Sequence, residues 1–312
     1  MSLPGEFRVT ALEFRLRTED PLEMPEYAGA LFRGGFGKYL RELACRTGAP
    51  DCEGCPHLAR CAYGIVFETP ADPAQSVMLK AYPFAPHPFV LTPPLDEGSR
   101  LPAGAEFSLP LTLIGRGRGY LAHFIEGLDA MGRSGRFGGR FRVVEILEAG
   151  GEKAKIYDGF TRRLLRPLPL WSMPGQTPAR SIRMEFVTPL RLREKGAYTK
   201  GPAFATLVQA LVRRIHMLGC AHEGWPDELE WRRPLLEAAD RVETVGAEWR
   251  EFRWSRRSGR QGRVIPMDGL RGWMEVRGDL GPLLPVLELG RHLHIGSGTV
   301  MGMGRYRLEV LG

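Results

Sequence analysis

Polar and apolar positions alternate almost from the first residue. Over residues 7–16, Phe7, Val9, Leu12, Phe14 and Leu16 stand among polar neighbours with one slip of register, the period-two pattern of a half-buried strand. Helical spacing follows from about Glu23 to Ala44. Two more strands are expected at 87–95 (HPFVLTPPL) and 105–115 (AEFSLPLTLIG), the second with Phe107, Leu109, Leu111 and Leu113 in strict alternation. GYLAHFIEGLDAMG at 119–132 returns to helical spacing. FRVVEILEA, from Phe141, closes this first run as a strand. The order is βαββαβ.

Residues 151–180 contain Pro167, Pro169, Pro174 and Pro178, the chemistry of a linker with a short hairpin ahead of it. The pattern then repeats. SIRMEFVTPLRL (181–192) reads as a strand. AFATLVQALVRRIHMLGCAH (203–222) reads as an amphipathic helix with Leu207, Leu211, Ile215 and Leu218 on one stripe. After an extra helix near 232–244, residues 248–267 read as a hairpin around Ser258-Gly259, 270–278 as a further strand, 281–294 as a helix, and RYRLEVL as the last strand. Both halves end on a helix, a glycine-rich stretch and an aromatic-arginine strand: FGGRFRVVEIL (137–147) against MGMGRYRLEVL (301–311). The fold class is α+β: two tandem ferredoxin-like (RRM-like, βαββαβ) domains, at 1–175 and 176–312. A cysteine-rich insert interrupts the first at 45–61.

With 312 residues and 43% hydrophobic content, each domain can bury its own core. The apolar runs are short and broken by charge, so no membrane span is expected. MSLPGEFRVT lacks the apolar centre of a signal peptide, and a cytoplasmic, thiol-reducing setting is expected.

The formal charge is +7, and only six of the 43 basic residues are lysine. A GC-rich genome is the bland source of so much arginine; phosphate recognition by guanidinium forks is the functional one. Clustering favours the second, in RSGRFGGRFR (133–142) and RWSRRSGRQGR (253–263). Arg256, Arg257, Arg260 and Arg263 share the second cluster with Trp254, a surface suited to RNA phosphates and base faces. Gly296, Gly298, Gly302 and Gly304 form a glycine-rich stretch followed by Arg305, which suits the approach of a backbone phosphate. It matches neither a Walker loop nor a dinucleotide fingerprint.

Four of the five cysteines, Cys45, Cys52, Cys55 and Cys61, fall in a C-x6-C-x2-C-x5-C pattern. Four thiolates at this spacing favour a closed structural Zn2+ site, with an iron–sulfur cluster as the runner-up. Cys220, on the amphipathic helix, reads as core. No carboxylate constellation suits two-metal catalysis, so no cofactor is expected for chemistry.

LFRGGFGKYLREL…CEGCPHLARCAYGIVFE, the SRRSGRQGR hairpin, GSGTVMGMGRYRL and the doubled layout together resemble the RAMP-superfamily endoribonucleases that cut CRISPR precursor guide RNA, in a zinc-bearing branch. The resemblance covers nearly the whole chain. It implies metal-independent cleavage: a ribose 2′-OH attacks the adjacent phosphate, leaving 2′,3′-cyclic phosphate and 5′-OH ends, and the guide RNA is retained. It implies CRISPR repeat RNA as partner, together with other Cas effector subunits, and an RNA surface that includes Arg33. Such enzymes commonly carry an acid–base histidine on or near the first helix. Here 30–44 has none, and Lys38 and Tyr39 stand in its place. His294, beside the glycine loop, is the third catalytic candidate. The alternative function is a catalytically inactive RNA-binding subunit of a CRISPR effector complex.

Overall fold

The computed structural model describes residues 3–72, 74, 76, 79, 84–94, 98–150, 153–194, 196–257 and 262–311, without the side chain of Arg257. The chain forms two compact units. The first comprises Phe7–Trp171 with Met217–Gly224; the second comprises Met1–Glu6, Ser172–His216 and Trp225–Gly312.

In the first unit the order is β1 (Val9–Thr18), α1 (Gly29–Ala44), β2 (Phe89–Leu91), β3 (Glu106–Ile114), α2 (Leu121–Arg133), β4 (Phe141–Glu148), β5 (Lys155–Asp158) and β6 (Arg163–Leu164). The sheet runs β2-β3-β1-β4-β5-β6 with antiparallel pairs throughout. Its first four strands have the ferredoxin-like order.

The period of two sets the register. Leu12, Phe14 and Leu16 lie opposite Leu111, Leu109 and Phe107, and all six are buried. The slip of register near the start of β1 has a physical cause. Residues 9–12 are buried on both faces, because Thr10 donates to the Pro169 carbonyl at 2.6 Å and the Trp171 N–H bonds Val9. Helices α1 and α2 supply an aromatic core: Phe36 stacks on Phe124 at 4.5 Å, and Phe89 meets both rings edge-on. Burying each phenyl ring contributes on the order of 1.5–3 kcal/mol.

Helix α1 starts at Gly29, later than the Glu23 expected from spacing. Leu22–Glu23 instead pair with Arg100–Leu101, and Pro25 then breaks the run. Strand β2 is likewise shorter than 87–95, because Pro93 and Pro94 follow it.

In the second unit the order is β7 (Ser181–Leu190), α3 (Phe204–Glu223, of which 217–223 group with the first unit), α4 (Arg233–Asp240), β8 (Glu243–Phe252), β9 (Ser255–Arg257), β10 (Val264–Pro266), β11 (Gly269–Arg277), α5 (Leu284–Leu293) and β12 (Tyr306–Val310). The four-stranded sheet runs β8-β11-β7-β12, the same order as in the first unit. Ile182, Met184, Phe186, Met274 and Val276 face inward with Leu207, Leu211 and Ile215 of α3 in the core. Tyr306 fixes β12 to α5 by donating to the Leu287 carbonyl at 2.5 Å.

The region read as one hairpin at 248–267 is two pieces. Strand β8 is a long edge strand paired with β11, and β9 pairs with β10 in a separate ladder. The turn at Ser258-Gly259 lies outside the described residues.

Candidate active site and nucleic-acid interface

Helix α1 carries three of the expected residues. Lys38 is exposed, 3.9 Å from Glu42 one turn on and 5.3 Å from the Tyr39 ring. Tyr39 meets Phe137 of the glycine-arginine stretch edge-on at 6.2 Å. Arg33 turns elsewhere: its guanidinium lies 4.1 Å over the Phe67 ring, and its Nη2 is 3.5 Å from His87 Nε2.

That approach leads to a cluster that sequence reasoning did not assemble. Residues Gly64–Glu68 form a one-turn π-helix, a feature frequent at functional sites. Gly64 is demanded there, because a Cβ would run into the Leu58 carbonyl. The turn ends at Thr69 in the left-handed region, φ 44° and ψ 59°. For a β-branched residue this is a strained conformation, costing about 1–3 kcal/mol.

Three hydrogen bonds hold Thr69. Its N–H bonds Gly64 at 2.7 Å; its carbonyl accepts from the Ala85 N–H at 2.8 Å; its hydroxyl donates to the Ala85 carbonyl at 3.0 Å. With the hydroxyl proton committed, Oγ1 accepts from His87 Nδ1 at 2.7 Å. The assigned tautomer therefore carries its proton on Nδ1 and leaves Nε2 as the acceptor, on the Arg33 side. Phe67 and Phe89 flank the imidazole at 6.0 Å each, nearly parallel to it. Thr69 and Arg33 stand 18 and 54 positions from His87, so no local motif marks the group.

The other histidines have settled roles or settings. His222 accepts from Arg116 and donates to the Pro86 carbonyl. His216 joins Asp227 at 2.8 Å and accepts from Trp231. His57 is exposed, and His123 is half-buried beside Tyr120.

Cys45, Cys52, Cys55 and Cys61 line one pocket, with His57 and Arg41. Gly54 takes the left-handed φ of 67° that turns the chain between Cys52 and Cys55, and the Gly64 N–H donates to Cys61 Sγ at 3.1 Å. Burial raises the Cys52 thiol above its ordinary value; Glu68 and the neighbouring Cys61 and Cys55 add to it. A cation would relieve that crowding of anionic sulfurs, so the donor set fits a thiophilic metal. No three of these sulfurs lie within 4.8 Å of one another, so closing on an ion would draw them inward.

The second unit carries the glycine loop. Gly296, Gly298, Gly302 and Gly304 all have φ between 71° and 91°, which side chains resist. The amides of Ser297, Met301, Gly302 and Gly304 bond Arg191, Gly298, Thr299 and Pro189 carbonyls. The loop therefore spends much of its N–H capacity on its own turns and on residues 189–191, and Ser297 is its exposed tip.

His294 caps α5 at φ 61° and ψ 164°, a region otherwise left to glycine, and is 2% exposed. Burial, then Arg305 and Arg214, holds its imidazole neutral, well below the usual histidine range. Such a ring does not meet solvent. Arg305 is largely buried, and that burial lowers it, with Arg307 and Arg291 adding.

In the β9–β10 ladder, Arg256 is half-buried and its Nε bonds no described partner. Arg263 is exposed, and Arg253 is answered by Glu251 at 2.9 Å. Arg257 pairs through its backbone with Val264; its side chain and all of Arg260 lie outside the described residues.

Comparison with known proteins places this geometry. Residues 7–169 match the AF_1859_N N-terminal domain, and residues 184–306 match CRISPR-associated endoribonuclease Cas6. A protein of Archaeoglobus fulgidus, described as uncharacterized, is 25% identical over 297 residues, covering 92% of this chain and 93% of the relative. Among solved structures, Thermus thermophilus Cas6 (TTHB231) superposes with a TM-score of 0.56 at 17% identity, over 98% of this chain and 100% of that one. The substrate mimic complex of Cas6 (TTHA0078) has a TM-score of 0.52 at 20% identity, over 97% and 99%. These likenesses establish the fold, and the two family matches together span nearly the whole chain. Residues 184–306 carry the likeness to the CRISPR-associated endoribonuclease Cas6, and the chain belongs to the AF_1859_N family, whose model covers its first half.

Proposed function

We propose that this chain cuts CRISPR repeat RNA without a catalytic metal and keeps the guide RNA it releases. The observation that carries the reading is the Cas6 match at 184–306, which includes both the arginine ladder and the glycine loop. The neighbour solved with a substrate mimic is consistent with RNA as the ligand.

In the proposed reaction the 2′-oxygen attacks the adjacent phosphorus, its proton leaves to a base, and the 5′-oxygen departs with a proton. The protein must align these atoms, stabilise the added charge on the phosphorane and move the protons. Arg256, Arg257, Arg260 and Arg263 would hold phosphates, with Gly296–Gly304 and Arg305 shaping the loop beside the backbone. Lys38 and Tyr39 would face the RNA from α1. Zinc held by Cys45, Cys52, Cys55 and Cys61 would fasten the 45–61 segment and take no part in the chemistry.

The absence of a histidine from α1 favours a second reading, a Cas subunit that binds RNA without cutting it. Incubation with 5′-labelled CRISPR repeat stem-loops in EDTA separates the two. A shortened product ending in a cyclic phosphate supports the nuclease. A shifted but intact band supports the binder. Loss of cleavage on chelation would overturn the metal-independent reaction.

A further inference from the structure

We infer that His87 is the general base of this chain, that Arg33 is the cation beside the reacting phosphate, and that Thr69 positions the imidazole. The inference rests on the ribonuclease reading above and supplies the acid–base group that α1 lacks.

A base at an RNA backbone needs an unprotonated nitrogen, a fixed orientation and a cation within reach of the same phosphate. His87 has its Nδ1 proton directed to Thr69, whose own hydroxyl proton goes to Ala85. This leaves Nε2 as the acceptor edge, and Arg33 approaches it to 3.5 Å. Phe67 and Phe89 lie against the ring, and Arg33 is itself braced on Phe67.

Both His87 and Arg33 are half-buried, shielded enough to hold their places and open enough to meet a ligand. Thr69 keeps its position at the cost of a left-handed backbone, and the π-turn before it repeats the sign of a strained, purposeful segment. A merely structural histidine needs none of this: the buried His222 is fixed by two ordinary hydrogen bonds.

The step balances. The 2′-hydroxyl proton passes to His87 Nε2 as the O2′–P bond forms. The P–O5′ bond breaks, and the 5′-oxygen takes a proton from water. The imidazolium returns its proton to solvent. Arg33 Nη atoms hold a non-bridging phosphate oxygen as its charge grows. Arg33 faces the imidazole from α1, Thr69 and Phe67 face it from the π-turn, and Phe89 from β2.

The test measures single-turnover cleavage of 5′-labelled CRISPR repeat stem-loop RNA in EDTA. Affinity is measured separately, on the same RNA bearing a 2′-deoxy nucleotide at the cut. His87→Ala and His87→Gln are each expected to slow cleavage about 10²–10⁴-fold with affinity changed less than twofold. They should also abolish the unit-slope acid limb of the pH–rate profile, and added imidazole should restore part of the His87→Ala rate. Arg33→Ala is expected to lose about 10²–10³-fold, with Arg33→Lys recovering part of it. Thr69→Val should lower the rate and shift the acid limb while the melting temperature of His87→Gln stays near wild type.

If both His87 variants cleave at the wild-type rate, the assignment is overturned and the nuclease reading stands. If the wild type binds these RNAs and never cuts them, the nuclease reading itself fails, and the assignment falls with it.

Discussion

Three glycines on α1 give a test in which the environment alone decides the outcome. Gly34, Gly35 and Gly37 sit in one helix, so replacing any of them with alanine gains about 1 kcal/mol of helix propensity. What the new methyl group meets differs at each. At Gly34 it meets nothing within 4 Å. At Gly35 it comes to 2.5 Å from the Met131 sulfur, the flexible end of a side chain that can swing aside. At Gly37 it comes to 2.9 Å from Phe67 Cε1 and closer still to Cζ and Cε2.

The Phe67 ring has little room to yield. Tyr63 stacks on it at 5.1 Å, His87 lies against it at 6.0 Å and Arg33 covers it at 4.1 Å. Overpacking of this kind costs about 1–3 kcal/mol, which cancels or exceeds the propensity gain. Gly34→Ala is therefore expected to raise Tm by about 2–4 °C, Gly35→Ala to leave it nearly unchanged and Gly37→Ala to lower it by up to several degrees. Gly37→Ala should also slow RNA cleavage about 10²-fold, since an ångström of displacement at Phe67 carries His87 and Arg33 with it. Thermal melts of the three variants under one buffer decide the matter. A Gly37→Ala protein as stable as Gly34→Ala would refute the packing argument.

Three further outcomes concern the metal site, the arginine ladder and the buried histidines. Cys52→Ser is expected to lower Tm and to reduce protein-bound zinc by elemental analysis; a wild-type protein carrying neither zinc nor iron would remove the metal site. Arg257→Ala combined with Arg260→Ala should weaken repeat binding and flatten the log K against log salt plot by about 0.7 for each phosphate no longer neutralised; an unchanged slope would remove these arginines from the RNA surface. Burial, with Arg291 adding, holds His292 at about 4, and His294 is also held low, so the unfolded chain binds more protons than the folded one between about pH 4 and 6.5. Stability should therefore be full above that window and fall on acidification through it, by up to about 1.4 kcal/mol per pH unit for each ring; urea midpoints at pH 5 and 7 read this, and equal midpoints would contradict it.

Most of the architecture is visible in residue patterns because its strands are half-buried. Leu12, Phe14 and Leu16 on β1 and Phe107 through Leu113 on β3 alternate because one face of that sheet meets α1 and α2. Where burial is not one-sided, the pattern fails. Residues 9–12 are buried on both faces, which produces the apparent slip. Strand β8 is exposed along nearly its whole length, so it has no period to read, and nothing in the pattern marks its first residues. That the four cysteines line one pocket is legible because their spacing is local, as are the loop glycines whose positive φ side chains resist.

The His87 cluster shows why the site is less legible than the fold. Its members come from α1, the π-turn and the entry to β2, and each looks ordinary in sequence. Gly64 reads as a turn residue, yet the Leu58 carbonyl occupies the space a side chain would need. Thr69 reads as a strand former, yet three hydrogen bonds force it left-handed. Gly37 reads as a helix defect, yet the Phe67 ring lies where its Cβ would be. Each local cost, about 1 kcal/mol for a helical glycine and 1–3 kcal/mol for the threonine, makes room for one more group around the imidazole. The same reasoning accounts for the missing histidine of α1. On the proposed assignment the helix needs only to bring Arg33 to the phosphate, because the loop entering β2 would bring the base.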